Sequence, residues 1–500
     1  MKRNVLFAMV LFIGTFTSVF ASSPLVDPAT YSTRFGYNLT SQWAYTNVLG
    51  NYVNSADLLG AAGAVRGMAV KDGKMLFCSR NSGNQILVID GTTGAKLTPV
   101  TLASNVFTYL GRNKANTADS TWTVGYPCND IHVDNAGNVL VGNMITSNTG
   151  RFQIWKIDLA TGNGTIVVDQ KDIISDFSTS KAGTRFDAFG VWGDVANDAV
   201  IIAVSAEATV LEAYKWTISN GVAGKPVLIE IDNSGQYFMQ AQDPVTKLFT
   251  PLANAGTGPR VLPLDMDYFY LDGNSTFPTL VDKEGNIMDG FFKIYDGAGN
   301  VTSARAYSAL TDSVTLPETK WVMNQGHNGV KEFQIGNDNF LIMSATNTAL
   351  SPKSSFRIFK FADANKLFSG LDVMWTFPQA GMGGAQNGYR TGMPAVEVNG
   401  TSAKIYVYTG ENGYAMYTMS VATGVKNVNV SNVSISLNND KNRIIISEVV
   451  KSVELYAVNG QRISFAHDVS EIAAPSQKGI YLVNVLDKNN AKKIEKIVVY

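Results

Sequence analysis

The sequence predicts an all-β fold, a six-bladed β-propeller followed by a second, smaller β unit, and three observations predict it. Short apolar runs of strand length alternate with turn residues along almost the whole chain. One arrangement of three such runs recurs at a spacing of roughly 50 to 65 residues, with one longer gap, which is the period of repeated sheet units. After Gly424 the texture changes, and aromatic residues and glycines become sparse.

The clearest copy of the unit is Val65 to Gly94, VRGMAVKDGKMLFCSRNSGNQILVIDGTTG. Its runs GMAV, MLFC and ILVID are separated by segments that each carry the Gly, Asn or Asp a tight turn needs for positive φ, so the unit is an antiparallel meander. The same grammar returns at Asn129, Phe186, Phe277, Gly329 and Gly392, giving six units. One twisted sheet of this kind has two apolar faces and must stack on neighbours to bury them, so a closed ring is expected. Trp375 in DVMWTFP falls on the outermost strand of the fifth unit, and the sixth unit runs out of strands after Thr418. Ser41 to Asn47 repeats the Trp-x-aromatic pattern of Trp375 to Phe377, so Trp43 is expected to supply the missing outer strand. Residues of about 236–260 lose the alternation and carry Pro and Gly, which reads as an insertion on one face.

The ends differ from the middle. Lys2 and Arg3 precede the apolar run Val5 to Phe20, and Ala21, Ser22 and Ser23 follow, the three regions of a secretory signal peptide over residues 1–21. No later apolar stretch reaches the about 18 residues of a membrane span, so the mature chain is expected to have none. The formal net charge is -1, from 40 basic and 41 acidic residues, which gives no electrostatic ground for a nucleic-acid partner. Cys78 and Cys128 are the only cysteines. Two readings stay open for them, a bridge in an oxidising compartment or two buried thiols acting as small apolar residues.

In a propeller the first strand of each unit starts at one mouth of the central channel, where ligands sit. That places Arg66, Asn129, Asp130, His132, Arg185, Asp187, Thr276, His327, Asn328, Lys331 and Arg390 at the predicted rim, with Trp122, Tyr126, Trp321 and Tyr389 just upstream. The candidate ligand-binding set is Arg66, Asp130, Arg185, Asp187, Trp321, His327, Tyr389 and Arg390. Forked guanidinium donors beside flat aromatic faces suit sugars, carboxylates and peptides. The alternative is that these charges only solvate strand ends or pair with a neighbouring unit. No HExxH, Cys/His cluster or Gly-x-Ser-x-Gly elbow is present, so no metal, cofactor or catalytic residue is assigned. Asp130 and Asp187 serve glycoside hydrolysis only if they face each other across a substrate. Asp134 to Asn138, Asp282 to Asn286 and Asp296 to Asn300 lack the alternating Asp and distal Glu of a calcium loop and read as turns.

From residue 425 the chain runs VELYAVNGQR at Val453 to Arg462, KGIYLVNV at Lys478 to Val485, and a basic-apolar end at Lys492 to Tyr500. In their order and position these resemble the C-terminal sorting domain of the type IX secretion system. The resemblance implies a small β-sandwich over residues 425–500, outer-membrane secretion machinery as partner, and delivery through the periplasm to the cell surface or beyond. Within the propeller region 22–424, most of Ser41 to Gly424, through Arg66 to Val70, Asn129 to Ile131 and Tyr270 to Leu280, resembles an uncharacterised family of secreted bacterial propeller proteins, which brings no activity with it. The function expected is an exported module that binds a glycan or peptide at the channel mouth. A polysaccharide hydrolase or lyase, and a purely structural surface protein, are the alternatives.

Overall fold

In the computed structural model the described residues are 30–52, 58, 64–79, 84–112, 119–146, 150–171, 183–207, 211–231, 259–273, 279–290, 293–295, 301–304, 329–345, 354–361, 371–385, 392–422, 431, 433–488 and 491–499. All their regular structure is strand. The chain divides into two compact units, Met1–Val421 and Ala422–Tyr500.

The larger unit is built from antiparallel meanders in sequence order. The first sheet is Val65–Lys71, Lys74–Ser79, Gln85–Asp90 and Lys96–Thr101, and the second is Asp130–Val133, Val139–Gly142, Phe152–Ile157 and Gly164–Gln170. The third is Gly183–Gly193, Ala199–Glu207 and Leu211–Ser219, with Val222–Ala223 and Val227–Ile231 both pairing its third strand. The fourth is Arg260–Pro263, Tyr268–Asp272, Thr279–Asp282 and Ile287–Gly290, and the fifth is Val330–Ile335, Asp338–Ala345, Ser355–Phe361 and Leu371–Phe377. The sixth is Gly392–Asn399, Ser402–Thr409 and Gly413–Val421, with Tyr37–Thr46 on its outer edge. Two short hairpins, Thr108–Arg112 with Asp119–Thr123 and Lys293–Tyr295 with Val301–Ala304, stand apart from these sheets.

The closed six-bladed propeller expected from the repeat is corrected by this topology. The sheets are open and uncurled, and among the described residues no strand ladder passes from one sheet to the next. Lys96–Thr101, the last strand of the first sheet, is a mostly exposed edge. The physical reason is that turn residues and two-residue alternation specify the pairing inside a meander. They say nothing about how a finished sheet curls or closes on others.

The start of the fourth unit is also corrected. Sequence alternation begins it at Phe277, whereas Arg260–Pro263 and Tyr268–Asp272 are its first two strands. Pro263 and the acidic turn at Asp265, whose Oδ1 accepts from the backbone N–H of Asp267 and Tyr268, break the alternation that would have shown them. Arg260, expected at the end of an insertion, thus opens a first strand, and Thr276 lies outside the described residues.

The N-terminal strand takes the edge position expected for it, with Trp43 opposite Met416 and Tyr45 opposite Tyr414. Trp43 is buried, donates from Nε1 to the Gly91 carbonyl at 3.0 Å and lies over Gly94 at a turn of the first sheet. Sheet-to-sheet contact relies on glycine where first strands approach. A Cβ at Gly67 would stand 2.7 Å from the Ile131 nitrogen, and one at Gly190 would stand 2.3 Å from the Val261 carbonyl oxygen. The space between the first and second sheets is filled by Leu76, Cys78, Ile131 and Val141, and both cysteines are buried free thiols within it. Asp134 and Asp282 are turn residues as read, each accepting backbone N–H bonds from two and four residues on. The Asp296 to Asn300 turn lies outside the described residues.

In the smaller unit, Ile435–Asn438, Arg443–Ala457, Arg462–Ala473, Gly479–Leu486 and Lys492–Val499 are hydrogen-bonded into one five-stranded antiparallel ladder, and Lys493 Nζ donates to the Val433 carbonyl at 2.8 Å, which brings its two ends together. Arg443–Ala457 is long enough to pair with Arg462–Ala473 over both its halves and with two shorter strands in succession. Its ladder breaks register between Ile445 and Val450, and the apolar side chains of Ile444, Val453, Leu455, Val483 and Val485 pack into one core.

Candidate functional site

The first strands of the six sheets line one cavity of about 420 Å³. Its wall is made by Met68 to Val70, His132 to Asn135, Phe189, Val191 and Trp192, Arg260 to Leu264, Gly329 to Glu332, and Met393 to Val396. This is within the volume range of small-molecule sites. Strand alternation sends one residue in two toward a sheet's neighbour, so each sheet contributes few polar groups here.

Two residues of the wall, His132 and Arg260, belong to a largely buried ionic network. Arg66 Nη1 donates to Asp187 Oδ1 at 2.8 Å, and Arg185 donates to the same carboxylate from Nε at 2.9 Å and from Nη2 at 3.0 Å. Arg260 Nη1 donates to Asp130 Oδ1 at 3.0 Å, and its Nη2 donates to the Arg66 carbonyl. Asp130 Oδ2 accepts from the Phe189 N–H at 3.1 Å and stands 2.9 Å from His132 Nε2. Burial works against the Asp130 charge, but Arg260 and His132 prevail and hold its carboxyl at about 2. It is therefore a carboxylate, and the His132 nitrogen must be the donor. Asn129 Nδ2 donates to the Asp187 carbonyl at 2.6 Å, tying the second sheet to the third.

This geometry relocates half of the expected set. Arg66, Asp130 and Asp187 are at most 4% exposed, and with the partly buried Arg185 they pair with one another instead of forming an open rim. Trp321, His327, Tyr389 and Arg390 lie outside the described residues, as does Asn328. His132 is a rim candidate that does reach the cavity, 24% exposed, with its ring edge-on to Phe189 at 4.6 Å. Asp130 and Asp187 do not form an acid and base pair, since each is already held by guanidinium groups and Asp130 has no proton to give near neutrality. Among the described residues no group of three His, Cys, Asp or Glu side chains is placed to hold a metal ion.

The cavity residues that sequence reasoning passed over are Trp192, Arg260 and Glu332. Arg260-Val-Leu-Pro echoes Arg66-Gly-Met-Ala at the head of a first strand, a signal that Pro263 obscured. Lys331 was among the rim residues and lines the wall. Removal from water lowers its pKa, opposed only by the neighbouring Glu332. Glu332 accepts from the Tyr270 hydroxyl at 3.3 Å. Nearby, Asp272 accepts from the Gly329 N–H at 2.9 Å, and burial pushes its carboxyl well above the usual range against that bond and Arg260.

Residues 120–270 match the family described as Domain of unknown function (DUF8500), which covers the second and third sheets and the head of the fourth. No curated protein matches the chain. A solved DUF4623 family protein from Bacteroides eggerthii is similar at 14% identity over 73% of this chain and 72% of that one, with a TM-score of 0.50. The computationally designed Ika8 protein aligns at 11% identity over 88% of this chain and 98% of that one, but its TM-score of 0.28 carries no argument. Among the described residues no helix is long and apolar enough to cross a membrane. At such identity the likeness to the DUF4623 protein is one of fold alone.

Proposed function

We propose that the chain is a binding module that takes a glycan unit or a short peptide segment into the cavity at the first strands. The observation that carries this is the division of the wall. The wall combines the aromatic residues His132, Phe189 and Trp192, from the second and third sheets, with the charged residues Arg260, Lys331 and Glu332, from the fourth and fifth. Ring faces stack on sugar C–H groups or apolar side chains, while the charged groups fix orientation through hydrogen bonds. The buried ions hold the strands that carry these groups, so the site is preorganised and little entropy is lost on binding.

The proposal includes export. The charged and apolar regions of residues 1–21 and the resemblance of residues 425–500 to a type IX sorting domain support it. Mass spectrometry of culture fluid and cell envelope should find the chain without residues 1–21. Recovery from the cytoplasm with Met1 intact overturns export.

Binding is tested by thermal shift of the purified protein against a panel of oligosaccharides and peptides. A ligand that binds only the folded state raises the melting temperature by mass action. Trp192→Ala, which shortens one cavity wall, should abolish the shift for the ligands that give it. A shift that survives this substitution moves the site elsewhere, and no shift with any member favours a structural role.

A further inference from the structure

We infer that the ligand of this cavity carries a carboxylate and that the ammonium group of Lys331 receives it, an inference that rests on the binding reading above. The argument is a count of charge in the wall. Arg260 is taken up by Asp130 at 3.0 Å and by the Arg66 carbonyl. His132 is taken up by the other oxygen of Asp130. Asp134 accepts from the Ala136, Asn138 and Val195 N–H groups at 3.0, 2.7 and 2.9 Å. Glu332 accepts from Tyr270. Lys331 is the remaining charged group of the wall, and beyond the charge of neighbouring Glu332 it makes no hydrogen bond or ion pair among the described residues.

A half-buried ammonium with no hydrogen-bonded anion is held at a cost, because the charge of neighbouring Glu332 only partly replaces the water it has given up. Its lowered pKa reports the same desolvation. A ligand carboxylate restores the missing partner through a charge-assisted hydrogen bond, in a setting where such a bond is stronger than in water. A neutral ligand leaves the ammonium unpaired and also removes what water the cavity holds, so selectivity for acids follows from a penalty as well as a gain. Two sources share the chemistry, the carboxylate of a uronic acid and the C-terminal carboxylate of a peptide.

Isothermal titration of the intact protein decides it. The probes are D-glucuronic and D-galacturonic acid against D-glucose and D-galactose, and alanyl-alanine against its C-terminal amide. At least one acid should bind about tenfold or more tighter than its neutral counterpart, the size of a charge-assisted bond. Lys331→Met should erase that preference and Lys331→Arg should keep part of it. A sugar acid or the dipeptide giving the preference identifies the source. Acids binding no tighter than neutral partners overturn the carboxylate inference, and that comparison needs no variant. Neutral probes that bind and are lost in Trp192→Ala would then leave the binding reading standing. Lys331→Met binding an acid as well as the unaltered protein also overturns the inference, and no probe of either class binding removes both.

Discussion

Arg66 and Asp187, from the first strands of the first and third sheets, meet in a 2.8 Å ion pair with 3% and 4% of their side chains exposed. Neither charge has access to enough water to survive alone. Arg185 adds two more donors to the same carboxylate, so Asp187 neutralises a guanidinium cluster.

Asp187→Ala should therefore destabilise the protein by about 3–5 kcal/mol, the usual cost of leaving a buried charge unpaired. Arg66→Met combined with Asp187→Leu should cost less than Asp187→Ala alone, because no uncompensated charge remains at Arg66. Urea denaturation of both variants measures this.

Asp130 and Asp272 should respond oppositely to pH. The Asp130 carboxyl lies at about 2, below its usual 3.8, so its contribution is complete above about pH 4 and is lost as pH falls toward 2. The contribution is about 2 kcal/mol from the shift alone. Asp130→Asn should be less stable at neutral pH, with the deficit shrinking between pH 4 and pH 2. Asp272 has a raised carboxyl, so its ionisation costs stability as pH rises above the ordinary range. Asp272→Asn should be as stable as the unaltered protein or more stable at pH 7, and should lose that advantage below about pH 4. Unfolding free energies across pH 2–8 separate the two.

Trp43→Ala should cost about 3–5 kcal/mol, as for a large buried aromatic truncated to a methyl group. The loss combines the ring's contact with Gly94, its edge-on packing on Tyr414 at 5.9 Å and the bond to Gly91. Hydrogen exchange should show Tyr37–Thr46 losing protection before the rest of its sheet, because an edge strand held by one neighbour opens first.

Cys78 and Cys128 should both resist an aromatic disulfide reagent in the native state and react fully in guanidinium chloride. Each is fully buried, and burial, followed by the adjacent Cys128 thiol, pushes the Cys78 thiol well above its usual value. Little Cys78 thiolate is then present to act as nucleophile, and burial alone shields Cys128 from the reagent. Rapid native labelling at pH 7 would show that the space between the first two sheets opens.

The sequence by itself determined the local structure. GMAVKDGKMLF and MPAVEVNGTSAKIYVYTG carry their own turns, and the strands fall where alternation and glycine place them, because hairpin register is a matter of neighbouring residues. The edge strand around Trp43 was legible from its likeness to the Trp375 strand. Tertiary structure alone decided that Arg66, Asp130 and Asp187 are interior ions. A charge at the head of a strand reads the same whether water or a guanidinium from another sheet faces it, and Arg66 and Asp187 are paired across more than a hundred residues of chain. It also decided that the sheets stay open, that Arg260 heads a strand, and that Lys331 is left without a hydrogen bond in the wall. Each of these depends on what surrounds a side chain in space, which two-residue periodicity does not encode.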